Sequence, residues 1–353
     1  RTKDHRPIRG HAAIARCQTK ETARGRRMSG PEQRLLALWR SEVERHIVGD
    51  PTPVTELMLT LLAGGHALLE SAPGLGKTTL VRTVAISAGL DLGRVQCTPD
   101  LMPMDITGGD VVLPEQSNAP GAVVFRPGPI FHQVVLADEL NRATPRTQSA
   151  MLEAMQEGTV TSAGVTRPLP QPFHVLATQN PIEQEGTWPL PEAQLDRFLT
   201  MIRIPTPDAK ALAAITRGTT GNMPPKVEPV MTPENMLAMQ QAVRQVVVAT
   251  PVRDWAARLV LATHPASELA PKELVNAIEC GASPRAGQAL LGMAKALAFL
   301  EGRSHIGMVD LRRVARPVLR HRLLPTFEFL AGGGDVDSVI DDLVRSVPRE
   351  HAA

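Results

Sequence analysis

The stretch Ser71-Ala72-Pro73-Gly74-Leu75-Gly76-Lys77-Thr78 constrains the fold of this chain more than any other. It follows a short apolar run, His66 to Glu70, of the kind that forms a buried strand. It opens onto Lys77-Thr78-Thr79-Leu80-Val81-Arg82, which reads as the start of a helix. Strand, Gly-rich turn and Gly-Lys-Thr in that order make a phosphate-binding loop. The glycines let the backbone fold back so that successive N–H groups point at one anion, and the helix behind adds the positive end of its dipole. Ser71 to Thr79 are therefore the expected nucleotide-binding residues. Val48 and Gly49, in the break after the first helix, are expected beside them. Lys77 is expected to reach the β- and γ-phosphates, and the Thr78 hydroxyl to ligate Mg²⁺. The customary first glycine of such a loop is Ser71 here, a tolerated change if its backbone is ordinary.

The rest of the chain supplies the setting. Ser29-Gly30-Pro31-Glu32 has the form of a capping box, and Leu35, Leu38, Trp39 and Val43 follow at helical spacing. A second helix carries Val54, Leu57, Met58 and Leu61 and stops at Gly64-Gly65. Beyond the loop, Arg94 to Cys97, Gln133 to Glu139, Phe173 to Asn180 and Leu199 to Ile204 read as buried strands, with a helix from about Pro145 to Glu157. Alternating strands and helices predict an α/β fold with a parallel, doubly wound sheet, whose ligands gather at the carboxyl ends of the strands. Two β-like runs, Asp110 to Leu113 and Gly121 to Phe125, predict a hairpin inserted into that core. After Pro205-Thr206-Pro207 the pattern turns helical, with stripes such as Met236, Met239, Gln240 and Val243, or Leu290, Leu291, Ala294 and Leu297, read as core. The expected division is a basic, disordered tail over 1–27, an α/β nucleotide-binding domain over 28–204, a helical domain over 205–331 and a tail helix within 332–353.

Composition enters where the charge is concerned. The formal charge of +2 hides an asymmetry: residues 1–27 hold nine of the 38 Lys and Arg but only two acids, Asp4 and Glu21, so 29 basic and 34 acidic side chains remain for the other residues. The folded body is acidic, which argues against a nucleic-acid-binding domain. The tail reads as translated leader ahead of Met28, with a nucleic-acid or membrane arm or a transit-like segment as the alternatives. Three distant cysteines, Cys17, Cys97 and Cys280, offer neither a disulfide framework nor metal-ligand spacing and suit the cytoplasm. Cys97 reads as a small core residue. No apolar run reaches the roughly 18 residues of a membrane span.

Five further positions carry chemistry. Asp138 and Glu139 end an apolar strand, where an aspartate holds the metal and a glutamate acts as general base on the attacking water. Asn180 ends the next strand, where its amide can orient that water. Arg197, in Gln194-Leu195-Asp196-Arg197-Phe198, is a candidate cationic finger, a group worth roughly 10³–10⁵ in phosphoryl-transfer rate and often supplied by a neighbouring subunit. Arg285, in Ala282-Ser283-Pro284-Arg285-Ala286, begins a helix of the second domain and is expected to lean over the nucleotide.

Thr98 to Gly108, Leu136 to Ala143, Gln148 to Glu157 and the long run Ala177 to Phe198 resemble the MoxR family of AAA+ ATPases, and the likeness spans roughly residues 31–331. The departures are Ser71 and Trp188, the latter where a tyrosine is common. The resemblance implies an AAA+ core with a β-hairpin insert and an all-helical lid, a hexameric ring with ATP between subunits, and Arg197 acting in trans. It also implies chaperone-like remodelling or metal or cofactor insertion into a protein client, with a von Willebrand factor A domain protein as partner. The alternatives are a chelatase-type motor, a nucleic-acid or transcription-linked motor, and a nucleotide-gated scaffold with little turnover.

Overall fold

In the computed structural model the described residues are 30–112, 123–180, 186–220 and 226–348. The tail 1–27, Ser29 and the turn of the inserted hairpin lie outside them. Two helices precede the first strand: α1 (Pro31–His46) and α2 (Thr52–Leu62). Gly30 is the N-cap of α1 and supplies no side-chain cap, so the expected capping box is absent among the described residues and Pro31 alone marks the start.

The core then alternates as the sequence predicts. β1 (Ala67–Glu70) leads to α3 (Lys77–Ser87), β2 (Leu92–Gln96) and a short α4 (Pro103–Thr107). The inserted hairpin is β3 (Gly108–Val112) with β4 (Val123–Pro127), paired antiparallel from Gly108↔Pro127 to Val112↔Val123. Next come β5 (Val134–Asp138) and α5 (Pro145–Glu157), then an unforeseen second hairpin, β6 (Thr159–Ser162) and β7 (Val165–Pro168). β8 (His174–Gln179), the one-turn α6 (Glu192–Leu195) and β9 (Thr200–Arg203) complete the domain. Five strands pair in the order β2-β5-β8-β1-β9, all parallel.

Side-chain alternation splits the core over the two faces of this sheet. Ala67 and Leu69 of β1 join Leu136, Leu176 and Ile202 under α1, α2 and α3, whereas Leu68 joins Val135, Val175 and Met201 under Met151 and Leu152 of α5. Trp39 of α1 is fully buried and donates from Nε1 to Ser87 Oγ at 3.0 Å. It thereby fastens the far end of the helix that begins in the phosphate loop.

The second domain is α7 (Ala209–Thr220), α8 (Pro233–Arg244), α9 (Thr250–Leu261), α10 (Lys272–Ala277), α11 (Pro284–Leu300), α12 (Met308–Leu319), α13 (Phe327–Ala331) and α14 (Val336–Ser346). It is not wholly helical: β10 (Ile278–Cys280) and β11 (Leu324–Pro325) form a small antiparallel ribbon. Met236, Met239, Gln240 and Val243 are buried on one face of α8, as their spacing predicts. Ile340 and Leu343 put α14 into the same core as Trp255 and Phe299.

This domain grips the free edge of β9. Arg320 donates to Met201 O at 2.8 Å, His321 to Phe198 O at 2.9 Å, and Arg322 to Phe198 O and Leu199 O at 2.7 and 3.1 Å. Edge carbonyls that would otherwise lack partners are thus satisfied by side chains. At the carboxyl end of the sheet Arg203 pairs with Glu70 at 2.9 Å and Asp335 at 2.9 Å, and Arg320 with Asp337 at 2.7 Å. Among the described residues no helix is long and apolar enough to cross a membrane.

Candidate functional site

The phosphate loop turns on two residues. Gly74 and Gly76 both take φ 78, the left-handed conformation that glycine adopts without strain, and Gly76 is the N-cap of α3. Ser71 is buried with ordinary backbone φ, and its Oγ donates to Ala72 O at 3.0 Å. Lys77 Nζ donates to Ser71 O at 3.0 Å, so the ammonium is folded across the mouth of its own loop. Thr78 and Thr79 follow in the first turn of α3. Gly49 takes φ 122, and a Cβ there would stand 4.0 Å from Ala211 Cβ; half-exposed Val48 precedes it. That places the pair against α7, where the second domain begins.

Parallel pairing brings the acids to the same edge. Glu70 lies level with Gln179, and Gln96 level with Asp138, so β1, β2, β5 and β8 end together. Asp138 is buried; its Oδ1 accepts from Thr178 Oγ1 at 2.7 Å and its Oδ2 from Arg94 at 2.8 Å. Glu139 is left-handed, with φ 57. The other such non-glycine among the described residues, Ala163, sits with Gly164 in the two-residue turn between β6 and β7, where positive φ is the rule. No hairpin explains Glu139, a conformation that costs on the order of 1–3 kcal/mol. Its N–H donates to Thr178 Oγ1 at 2.8 Å, and its Oε2 accepts from Gln96 at 3.1 Å and Arg142 at 3.0 Å. One buried hydroxyl, Thr178, thus fixes both acids. Asn180 is buried one residue beyond β8.

These groups suit a nucleotide with Mg²⁺. A Cβ at Gly74 or Gly76 would meet no atom within 4 Å, so the loop has open space beside these two glycines. The hard oxygen donors Thr78 and Asp138 match a cation that takes oxygen ligands and brings phosphates and water with it. Among the described residues no group of three or more His, Cys, Asp or Glu could hold a metal alone.

Arg197 and Arg285 are elsewhere. Arg197 stands three residues before β9, whose Thr200 is level with Ala67, whereas the phosphate loop follows Glu70 at the opposite end of β1. The loop and Arg197 are thus separated by the height of the sheet, about 13 Å at four residues per strand. Arg197 Nη1 donates to Leu152 O at 2.7 Å, while its buried Nε has no hydrogen-bond partner. Arg285 lies next to it: both line one cavity of about 160 Å³ with Asp196, Met155 and Gln156. In this conformation Arg285 thus stands with Arg197, apart from its own chain's phosphate loop. The second domain is clamped along β9, and that carries the start of α11 to the amino end of the sheet.

Comparison with known proteins agrees with this geometry. The ATPase family associated with various cellular activities (AAA) matches residues 66–200, and the AAA lid domain matches 275–343. Chaperone MoxR1 of Mycobacterium tuberculosis is 38% identical over 308 residues, 87% of this chain and 80% of its own length. The chain belongs to the MoxR family of AAA+ ATPases. YeaC of Bacillus subtilis, uncharacterized, is 38% identical over 89% of this chain and 94% of its own. The crystal structure of a Cytophaga hutchinsonii protein assigned as an ATPase superposes with a TM-score of 0.83 at 34% identity, covering 95% of this chain and 98% of that one. This MoxR-family chain is an ATPase with a nucleotide-binding P-loop core and a helical lid.

Thr178, Gln96, Arg94 and Arg142 were not among the residues expected from sequence. Thr178 stood in plain view within Thr178-Gln179-Asn180, but its role depends on the turn at Glu139, for which the sequence carries no signal.

Proposed function

We propose that this ATPase works as a ring in which each ATP lies between two copies. The observation that carries the proposal is the placement of Arg197 and Arg285 in one cavity at the sheet edge remote from their own phosphate loop. Two cations so placed serve a phosphate held by another copy. A head-to-tail contact repeated around a closed ring supplies that arrangement, and six copies is the number the family resemblance implies.

In this reading one copy gives the loop face. Ser71 to Thr79 bind the phosphates, Lys77 carries charge to the β- and γ-oxygens, and Val48 and Gly49 border the nucleoside. Thr78 and Asp138 would hold Mg²⁺, which when bound neutralises phosphate charge. Glu139 takes the proton of the attacking water, and Asn180 orients that water. The neighbouring copy gives Arg197 and Arg285, which stabilise charge developing on the transferred phosphoryl group. We take residues 28–204 as the nucleotide-binding domain, 205–331 as the lid and 332–353 as a terminal segment whose helix closes the lid core.

Hydrolysis is read as driving the remodelling or the metal or cofactor loading of a protein client, with a von Willebrand factor A domain protein as partner and the cytoplasm as the compartment. Family membership supports this part, including a relative named as a chaperone. The test is ATP turnover with and without Mg²⁺ over a range of chain concentrations. Turnover per chain should require Mg²⁺ and rise as copies associate. Full turnover per chain where only monomers are present would refute the shared site.

A further inference from the structure

We propose that Asp196 and Arg322 are positioning residues that set Arg197 and Arg285 for the neighbouring copy's phosphate; the proposal rests on the shared-site reading above. Asp196 sits where three elements meet. Its Oδ1 accepts from Arg322 Nε at 2.8 Å, its Oδ2 accepts from Ser283 Oγ at 2.8 Å, and Arg285 Nη1 is 3.8 Å from the same Oδ2. Ser283 is also the N-cap of α11, accepting from the N–H of Arg285 at 3.2 Å. The carboxylate beside Arg197 is therefore tied to the cap of the helix that carries Arg285.

Arg322 fixes the other side. Its side chain is only 3% exposed, and burial lowers its pKa while Asp196 opposes that shift. Besides Asp196 Oδ1 it donates to the carbonyls of Asp196 at 3.3 Å, Phe198 at 2.7 Å and Leu199 at 3.1 Å, and to Val318 O in the last turn of α12, which it follows. It thus grips the backbone immediately before and after Arg197. A buried guanidinium tolerates no loss of partners, so the segment 196–199 has one position relative to α12. Arg285, by contrast, is 53% exposed on its side chain and faces the shared cavity.

Two arginines from separate domains, 88 positions apart in sequence, thus meet at one carboxylate, Arg197 as its chain neighbour and Arg285 through an ion pair at 3.8 Å. Neither Asp196 nor Arg322 needs to touch nucleotide. Their effect falls on turnover, because misplacing a catalytic cation by about 1 Å costs on the order of 10² in rate. Asp196→Asn keeps the shape, loses the charge and leaves Lys77, Asp138 and Glu139 untouched.

The experiment measures binding of a fluorescent ATP analogue and ATP turnover for full-length Asp196→Asn, alone and mixed with Lys77→Ala, with Arg197→Ala treated identically in parallel. Asp196→Asn should bind the analogue as the unmodified chain does and turn over about 10- to 100-fold more slowly. Mixing with Lys77→Ala should partly restore activity, since that copy lends an intact Arg197 and Arg285 to the intact loop of Asp196→Asn. A merely structural defect would damage the variant's own loop and would not be rescued. Unchanged turnover, or failure of rescue when Arg197→Ala is rescued, overturns the proposal. Failure of rescue for both variants overturns the shared-site reading and this proposal with it. If Asp196→Asn does not fold, Ser283→Ala carries the test: severalfold slower turnover with rescue, restored by Ser283→Thr, supports the proposal, and turnover equal to the unmodified chain overturns it.

Discussion

Replacing Thr178 by Val removes one oxygen atom and leaves the shape of a fully buried side chain intact. That oxygen donates to Asp138 Oδ1 at 2.7 Å and accepts from Glu139 N–H at 2.8 Å. A hydrogen bond to a charged group contributes about 1.5–3 kcal/mol net, and a shielded N–H left without a partner costs about 1–3 kcal/mol. The loss in Thr178→Val is therefore about 2.5–6 kcal/mol. Thr178→Ser keeps the hydroxyl, gives up one methyl group and should lose only about 1 kcal/mol. The effect on activity follows from the same contacts. Without that acceptor the side chains that still hold Glu139 are those of Gln96 and Arg142, both on the carboxylate, so its left-handed backbone relaxes and the carboxylate shifts from the water it should deprotonate. Turnover should fall at least about tenfold in Thr178→Val and stay within a few-fold in Thr178→Ser. Urea unfolding of the nucleotide-free chain gives the first number and a coupled ATPase assay the second. Equal stability of the Val and Ser variants to within about 0.5 kcal/mol would refute the claim that this hydroxyl fixes both acids.

Three other outcomes are expected. Glu139→Gln should retain ATP binding and stall before hydrolysis; steady-state turnover at the level of the unmodified chain would remove Glu139 as the base. His174 is buried and neutral, receiving Gln240 Nε2 at one ring nitrogen and donating to Gly65 O with the other, and burial pushes its pKa down to about 4. The unfolded chain takes that proton from about pH 6.5 downward, so stability is lost between pH 6.5 and 4, by about 2 kcal/mol from this residue at pH 4.5. Glu56, raised to about 7, works in the opposite sense, so the effect is read as the difference between His174→Gln and the unmodified chain in acid unfolding; parallel pH curves would refute it. Ser71→Gly keeps the carbonyl that accepts Lys77 and loses only the Oγ bond to Ala72 O, so ATP turnover should change by no more than about a few-fold, and a larger change in the ATPase assay would show that the loop is tuned to serine.

The sheet and the loop face were legible in the sequence because their signals are local. A strand, two left-handed glycines and Gly-Lys-Thr fit within twelve residues, and α5 ends at Gly158 where its apolar spacing stops. The second hairpin has a local signal too, Ala163-Gly164 between two short runs rich in Val and Thr, but one weaker than the Asn-Gly or Asp-Gly of a typical two-residue turn. The start of α1 differs from its sequence pattern by one residue, because Gly30 and not Ser29 is the N-cap. The placement of Arg285 was not legible at all. It depends on Arg322 reaching Asp196 across 126 residues and on three side chains clasping the edge of β9, none of which has a periodic or compositional signature. The same holds for Thr178, whose partners exist only once β5 and β8 are paired.

The central claim is that the loop and the arginines of one site belong to different copies. Lys77→Ala lacks a working loop but retains Arg197 and Arg285; Arg197→Ala retains the loop but lacks the finger. Each should be nearly inactive alone. Mixed in equal amounts, random head-to-tail contacts place an intact loop against an intact arginine edge in about one contact of four, so about a quarter of unmodified turnover should return. A mixture that co-assembles yet shows no more turnover than the average of its two components would contradict the account.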